Sequence, residues 1–191
     1  MIVGEFTDGR ILCSPHWPSE LLVRCPKCSF IMEVPDTDED PSPPSTFWER
    51  LFSRKAKPSP TEDYFHLVSE RKNRRHTELS LRLEAWKIDN DPYRSVPDHK
   101  KPNPADRSQD WHQNLSKLLQ LLPESNSDGS YVIQAECYRE LGLFDSAISV
   151  LHDNPPSELN ELWHRSIEEF ANLKNPHVQK LHPITKRPQT G

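Results

Sequence analysis

Glycine is scarce in this chain, with only 5 among 191 residues, which excludes the glycine-rich loops that cradle phosphates in nucleotide-binding folds. Apolar residues make up only 34%, and no apolar run approaches the roughly 18 residues needed to span a bilayer. Charge and a turn interrupt the first residues, where a signal peptide needs a continuous apolar stretch. We therefore expect a cytoplasmic protein with no membrane association.

Catalytic patterns are also missing from the sequence. It contains neither the G-x-S-x-G turn of serine hydrolases nor the H-E-x-x-H motif of zinc proteases, and its 9 histidines are scattered. The net charge of −5 includes no long block of either sign, and the most basic stretch, 71–76, is typical of a solvated helix start. These features predict a protein that is not an enzyme and disfavour nucleic acid as its partner. An active site assembled from distant residues stays open.

Proline is abundant, with 19 residues, and its distribution divides the chain. Residues 35–63 are rich in Pro, Ser, Asp and Glu, a composition typical of a linker. Within it, residues 45–53 form a short amphipathic island that either docks onto a partner or folds back on its own chain. We predict a ribbon-like β unit at 1–34, the linker at 35–63, a helical domain at 64–175 and a flexible tail at 176–191.

Four cysteines, two of them in a Cys-x-x-Cys pair, favour a metal or thiol site over a disulfide framework. Cys25 and Cys28 lie between two apolar runs that predict a hairpin, and this pattern resembles one knuckle of a zinc ribbon. Cys13 and His16, spaced Cys-x-x-His, complete a set of four ligands. Because so small a β unit gains stability from a metal, we predict structural rather than catalytic zinc. A relic knuckle without a full ligand set and a free thiol pair are the alternatives.

Helical periodicity dominates the second half of the chain. One apolar face runs over 79–90 and ends at Asp91-Pro92. Helices over 131–141 and 144–151 meet at Gly142, and Ser157 is positioned to cap a last helix. A further stripe comprises Trp111, Leu115, Leu118, Leu119 and Leu122. We therefore predict a mainly α fold, with a small N-terminal β zinc-ribbon-like unit, a Pro-rich linker and a C-terminal array of about five helices in hairpins.

A repeat-like pattern occupies residues 131–151. Ala135, Tyr138, Gly142, Phe144 and Ala147 follow one another as the small residue, aromatic, glycine, aromatic and alanine of a helix–turn–helix. The segment resembles a tetratricopeptide repeat. The resemblance implies that the two alanines lie where the helices cross, that the glycine ends the first helix and that both aromatics pack between the helices. Because the pattern covers only about 25 residues, it implies one tetratricopeptide-like layer, not a long solenoid.

The function that these features favour is binding to a protein partner, as an adaptor or scaffold with a structural zinc knuckle. We expect exposed aromatics, among them Trp86, Trp111 and Trp163, to supply much of the contact energy. The identity of the partner and the oligomeric state do not follow from the sequence. The overall plan also resembles a bacterial type of protein, a likeness that implies no activity.

A zinc-ribbon nucleic-acid-binding protein is the alternative function. It would use Arg24, Lys27 and the basic stretch 71–76 to contact phosphates, and its binding would weaken steeply with salt. The acidic segment 36–40, close to the knuckle, counts against this alternative because it would repel the phosphate backbone.

Overall fold

The chain divides into two compact units in a computed structural model, which describes residues 2–13, 22–25, 28–33, 57–69, 77–125 and 129–181. The first, which we call the terminal unit, combines residues 1–17 with residues 90–191. The second, the inner unit, comprises residues 18–89. The predicted boundary at 34/35 and the amphipathic island 45–53 lie outside the described residues, whereas the predicted boundaries at 63/64 and 175/176 lie within them. The division into these four segments stays a prediction.

The described residues are mainly helical, as predicted. Short strands are β1 (Ile2–Glu5), β2 (Ile11–Cys13), β3 (Leu22–Arg24), β4 (Ile31–Glu33) and β5 (Lys57–Pro58). The α-helices are α1 (Thr61–Ser69), α2 (Glu78–Asn90), α3 (Gln109–Leu121), α4 (Ser130–Glu140), α5 (Phe144–Asp153) and α6 (Glu161–Asn172). Single 3-10 turns occupy Asp91–Tyr93, Asp98–Lys100, Pro104–Asp106 and Leu122–Glu124.

The inner unit packs helices against a small antiparallel sheet. Strand β3 lies in the middle of the order β4-β3-β5, so the apolar runs on both sides of the Cys-x-x-Cys pair do form a hairpin. Its core joins Leu22 of β3 to Tyr64 of α1 and to Leu81 and Ala85 of α2, each at most 1% exposed. Burial of a large apolar side chain contributes about 1.5–3 kcal/mol, so these few contacts hold the unit together.

Helix α1 begins at Thr61, inside the segment whose composition predicts a linker. Glu62 and Asp63 occupy its first turn, where carboxylates stabilise the positive end of the helix dipole. Its apolar side chains, including Tyr64, supply one face of the inner core. The prolines just before Thr61 dominate the local composition, which is why the sequence indicates a linker at this position.

The terminal unit contains the first hairpin and most of the helices. Strands β1 and β2 pair antiparallel around the turn Thr7-Asp8-Gly9, in which Gly9 takes a φ of +78°. The C-terminal strap, defined as residues 175–181, lies beside this hairpin. Thr7 donates its backbone N–H to the Gln179 carbonyl at 2.9 Å, and Leu181 donates to the Glu5 carbonyl at 2.7 Å. The sequence predicts a flexible tail over 176–191, but within its described part, residues 176–181, Val178 and Leu181 are buried.

Helices α4, α5 and α6 form a layer of consecutive antiparallel hairpins. Its buried cluster comprises Val132, Ala135, Ala147, Leu151, Ile167 and Ala171. Ala135 and Ala147 are both fully buried, so α4 and α5 approach closely where their side chains are smallest. Tyr138 and Phe144 are partly buried against the same cluster. The repeat-like pattern therefore folds as a compact helical hairpin.

Helices α4 and α6 end in the same way, at the same end of the layer. After α4, Gly142 has a φ of +77° and donates to the Arg139 carbonyl, while Leu143 donates to the Tyr138 carbonyl. These two bonds define a Schellman motif. After α6 the equivalent positive-φ position is Lys174, at +52°. A lysine in this conformation is strained relative to glycine.

Serine caps one helix of the terminal unit, but the predicted serine cap of the last helix does not form. The Ser108 hydroxyl caps α3 by accepting the Trp111 backbone N–H at 3.2 Å, and the predicted stripe of α3 is largely buried. The expectation that Ser157 caps the last helix is wrong, because α6 begins only at Glu161. The Ser157 carbonyl instead accepts the backbone N–H of Asn160 in a preceding turn.

Candidate functional site

The Cys-x-x-Cys pair lies in the turn between β3 and β4. Cys25 donates its backbone N–H to the Phe30 carbonyl, and its carbonyl accepts the N–H of Ser29, both at 2.9 Å. Ser29 has a φ of +58°, the left-handed conformation that follows the second cysteine here. The Cys25 side chain is half-buried and Cys28 is exposed. These two bonds close the end of the β3–β4 hairpin at which both cysteines lie.

The four predicted zinc ligands are described to different extents. Cys13 ends β2, but its side chain and all of His16 lie outside the described residues. Cys13 and His16 belong to the terminal unit, whereas Cys25 and Cys28 belong to the inner unit. Among the side chains that the structure does describe, no three His, Cys, Asp or Glu residues form a group able to hold a metal ion. The complete ligand set therefore stays a prediction.

Arg24, beside the knuckle, forms a two-pronged ion pair with Asp63 at the start of α1. Its Nε and Nη2 donate to the two carboxylate oxygens at 2.6 and 2.5 Å. The hydrogen bonds from Arg24 lower the pKa of Asp63, whose side chain is only 5% exposed. The pair ties β3 to α1, so the charge of Arg24 is already matched within the inner unit.

A buried ionic cluster connects the first hairpin of the terminal unit to the chain after α2. Arg94 donates from both Nη atoms to the Asp8 carboxylate, at 2.8 and 2.7 Å, and these two side chains are 3% and 0% exposed. Arg94 also donates from Nε to Asp91, which accepts a further bond from Arg10. Arg94 stacks over the Phe6 ring at 4.7 Å. Because the opposite charges of Arg94 and Asp8 are both buried and paired with each other, the cluster favours a structural role.

Asn90 continues this cluster into helix α4. Its amide nitrogen donates to Asp8 at 3.1 Å and to the Glu140 carboxylate at 3.0 Å, and its amide oxygen lies 3.4 Å from both terminal nitrogens of Arg107. Asn90 is 1% exposed and Glu140 is 2% exposed. An amide side chain can bridge a carboxylate and a guanidinium in this way because it offers both a donor and an acceptor.

Arg107 lies in a shallow cleft of the terminal unit. Its guanidinium stacks on two aromatic rings, with its central carbon 4.6 Å from the Tyr93 centroid and 4.6 Å from the Trp111 centroid. The other residues that line the cleft are Asn90, Lys101, Pro102, Pro104, Glu140, Pro176, His177 and Val178. Its cavity volume of about 10 Å³ is the scale of a single water molecule.

Arg139 anchors the C-terminal strap to helix α4. It forms two hydrogen bonds with the Glu136 carboxylate, at 2.7 and 2.6 Å, and both side chains are completely buried. The guanidinium also donates from Nη1 to the backbone carbonyl of Asn175 and from Nη2 to that of His177. Nearby, burial raises the pKa of the Cys137 thiol, which therefore stays protonated and is a poor nucleophile.

Asp98 and Lys101 hold the other side of the strap. Lys101 donates to the Val178 carbonyl at 2.9 Å and pairs with Asp98 at 2.8 Å. Asp98 also accepts bonds from Asn175 and Gln179, each at 3.0 Å. Burial alone would raise the pKa of Asp98, but these three donors lower it to about 2.

Of the three tryptophans expected to be exposed anchors, Trp86 and Trp111 are buried and Trp163 is partly buried. Trp86 is 0% exposed and Trp111 is 2% exposed, so this part of the prediction is wrong: their apolar area stabilises the fold instead. Large apolar side chains are exposed elsewhere in the terminal unit, at Leu143 (50%), Leu159 (86%) and Leu173 (68%). All three lie just before or just after helices of the α4–α6 layer.

Sequence reasoning missed most of the polar residues described above. From the sequence, Glu136, Arg139 and Glu140 are expected on a solvent-exposed helix face, because charged residues are rarely buried. The one available signal was that these three charges share a helix with Ala135 and Cys137, which are buried. Their partners lie far away in the chain, and spacing within α4 does not reveal such partners.

Comparison with known proteins gives no relative: no family model, no curated protein and no solved structure matches this chain. None of the helices within the described residues combines the length and the apolar character needed to cross a membrane.

Proposed function

We propose that this chain is a non-enzymatic adaptor or scaffold that binds a protein partner through one end of its α4–α6 helical layer. The observation that carries the proposal is the exposure of Leu143 and Leu173 at that end. Leu143 follows α4 and Leu173 follows α6, and both helices run in the same direction because α5 returns between them. Exposed large apolar side chains that share one end of a layer supply the contact energy of a protein interface.

The charges of the terminal unit support a scaffold more than an active site. Asp8, Glu136 and Glu140, which are buried carboxylates, each lie in ion pairs or hydrogen bonds with arginine or asparagine. A catalytic acid or base must reach a substrate, whereas these groups are directed at their own chain. Paired in this way, the carboxylates hold the hairpin, the strap and α4 together and leave the helical layer rigid.

We also propose that the α4–α5 hairpin is a single tetratricopeptide-like repeat, with α6 covering its apolar face. The buried alanines Ala135 and Ala147 and the positive φ of Gly142 support this reading. A single repeat lacks the continuous concave groove of a longer array. Docking at the end of the layer, through the loops, therefore suits this chain better than binding a peptide in a groove.

A structural zinc ion at the knuckle is the second part of the proposal. Cys25 and Cys28 would supply two thiolates from the closed turn, and Cys13 and His16 would complete the tetrahedral set. Metal content measured on chain purified without added metal tests this proposal. One zinc per chain, lost together with thermal stability in Cys25→Ser/Cys28→Ser, would support it; a folded wild type without zinc would refute it.

A zinc-ribbon nucleic-acid binder remains the alternative function. The pairing of Arg24 with Asp63 weakens it, because a guanidinium already matched by a carboxylate gains less from a phosphate. Retention on heparin or DNA that falls steeply between about 50 and 200 mM salt would favour this alternative over the adaptor.

Affinity capture with matched variants tests the adaptor. The chain carries Leu143→Ser/Leu173→Ser in one sample and Leu159→Ser in the other. Leu159 is the matched control because it is the most exposed of the three, at 86%, and lies at the opposite end of the layer. A protein retained by the wild type and by Leu159→Ser but lost with the double variant supports the proposal. Equal retention by all three samples would refute it.

A further inference from the structure

We propose that Cys25 and Cys28 form a reversible disulfide with each other, so that the knuckle of the inner unit responds to oxidation by small disulfides such as oxidised glutathione. This bond consumes the two thiolates that a zinc ion would use, and oxidation would therefore release the metal. The competition with zinc rests on the proposed function, whereas the disulfide itself does not.

The hairpin turn holds the two cysteines close together. The Ser29 backbone N–H donates to the Cys25 carbonyl at 2.9 Å, and only one carbonyl carbon separates the Ser29 nitrogen from the Cys28 Cα. Each Cα lies about 2.4 Å from its backbone atom in this bond, which places the two Cα atoms roughly 5–7 Å apart. Disulfides usually join Cα atoms about 4.4–6.8 Å apart, so the bridge fits this turn.

The exposure of each cysteine decides which one reacts first. Cys28 is exposed, Cys25 is half-buried and Cys137 is buried. A small disulfide reaches an exposed sulfur most readily, which makes Cys28 the attacking thiol and Cys25 the thiol that resolves the intermediate. Burial, and after it the charges of Glu140 and Glu136, raise the pKa of the Cys137 thiol, so Cys137 stays outside this chemistry.

The reaction consists of two thiol–disulfide exchanges in the metal-free chain. The Cys28 thiolate attacks one sulfur of oxidised glutathione, the glutathione S–S bond breaks, and one glutathione thiolate leaves. The Cys25 thiolate then attacks the Cys28 sulfur of the mixed disulfide, and the second glutathione thiolate leaves. The chain loses two electrons, oxidised glutathione gains them, and the two protons of the protein thiols end on the two reduced glutathione molecules.

The short spacing of the pair favours a bond that is easily reversed. Only two residues separate the cysteines, so the disulfide restricts the unfolded chain far less than one that closes a long loop. The exposed Cys28 sulfur also leaves the bond open to attack by reduced glutathione. The disulfide should therefore form and break with the surrounding ratio of oxidised to reduced glutathione.

Peptide mapping of the full chain tests the proposal. The chain is freed of metal by a chelator and equilibrated with mixtures of reduced and oxidised glutathione, its remaining thiols are alkylated, and it is digested with trypsin. Trypsin cleaves after Arg24 and after Lys27. Only a disulfide then keeps the peptide 25–27 attached to the peptide that begins at Cys28. We expect this linked pair to form in oxidised glutathione and to disappear on return to reduced glutathione.

Three variants identify the reacting thiols. Cys25→Ser should lose the linked pair and accumulate glutathione on Cys28, because no thiol resolves the mixed disulfide. Cys28→Ser should take up glutathione at least about threefold more slowly than Cys25→Ser, because the remaining Cys25 is half-buried. Cys137→Ser, the matched control, should form the linked pair as the wild type does. Far-UV circular dichroism checks the folding of each variant, and the wild-type map does not depend on them.

Zinc titration separates this inference from the zinc proposal. Zinc added to the reduced chain should slow formation of the linked pair, and oxidation of the zinc-loaded chain should release one zinc for each linked pair, as measured with a zinc-sensitive dye. A linked pair in a chain that binds no zinc would refute the zinc proposal and support the disulfide. Zinc binding without a linked pair at any glutathione ratio would do the reverse.

Other products would also overturn the proposal. Disulfides from Cys13 to Cys25 or Cys28, links between two chains, or glutathione that stays on Cys28 of the wild type would each exclude the internal bond. A linked pair that persists in excess reduced glutathione would exclude a reversible bond.

Discussion

Replacing Arg139 by methionine should destabilise the terminal unit severely. Arg139 and Glu136 are both fully buried, and their two hydrogen bonds measure 2.7 and 2.6 Å. Arg139→Met leaves the Glu136 carboxylate buried without its counter-charge and leaves the carbonyls of Asn175 and His177 without a donor. Removing one partner of a buried ion pair costs about 3–5 kcal/mol, a large share of the stability of a small domain.

Urea denaturation followed by far-UV circular dichroism measures this loss. With a slope near 2 kcal/mol/M, a loss of about 4 kcal/mol lowers the midpoint by about 2 M. The matched control is Arg165→Met, because Arg165 forms an exposed pair with Glu161 in which the two side chains are 57% and 54% exposed. Surface pairs of this kind contribute less than about 1 kcal/mol, so the control midpoint should hardly move.

A double variant identifies the cause of the loss. In Glu136→Leu/Arg139→Met neither charge is buried alone, so part of the stability lost in Arg139→Met should return. If Arg139→Met is no less stable than Arg165→Met, the buried pair does not hold the strap to α4. If the double variant is less stable than Arg139→Met alone, the uncompensated carboxylate is not the cause.

Three further predictions concern the effect of single substitutions on stability. Asp98, with a folded pKa of about 2, stabilises the fold above pH 4 and loses this contribution as the pH falls toward 2. In Asp98→Asn the urea midpoint should therefore change less between pH 4 and pH 2 than in the wild type. Gly129→Ala should lower the melting temperature more than Gly142→Ala does. Both glycines have a positive φ, but only at Gly129 would a Cβ meet a side chain, 3.1 Å from the Asn160 Oδ1. Equal losses would contradict this. Lys174→Gly should stabilise the chain by about 0.5–1 kcal/mol by relieving its φ of +52°, and an unchanged melting temperature would count against strain there.

Local patterns predicted the helices well because periodicity is a short-range property. The stripe at Trp111, Leu115 and Leu118 became the buried face of α3, and Gly142 ended α4 as its place in the pattern implied. The start of α1 at Thr61 was missed because neighbouring prolines dominate the composition. Boundaries of this kind depend on capping and packing more than on average composition.

The ionic cluster could not be predicted, because its partners are distant in the chain. Asp8 and Arg94 are 86 residues apart, and each alone resembles a solvated surface charge. The same holds for the cleft, where Arg107 gains its fixed orientation from rings on two different segments. Exposure was also misjudged: Trp86 and Trp111 were expected at the surface because large aromatics often anchor interfaces, yet a fold with so few apolar residues uses them in its core.

Site-specific photo-cross-linking in intact cells tests the adaptor proposal most directly. A photoreactive amino acid replaces Leu143, Leu173 or Leu159, one position per sample, in the full chain. We predict that positions 143 and 173 cross-link to the same protein and that position 159, at the opposite end of the layer, does not. Cross-linking equally strong at all three positions, or none at 143 and 173, would contradict the proposal that this end of the helical layer binds the partner.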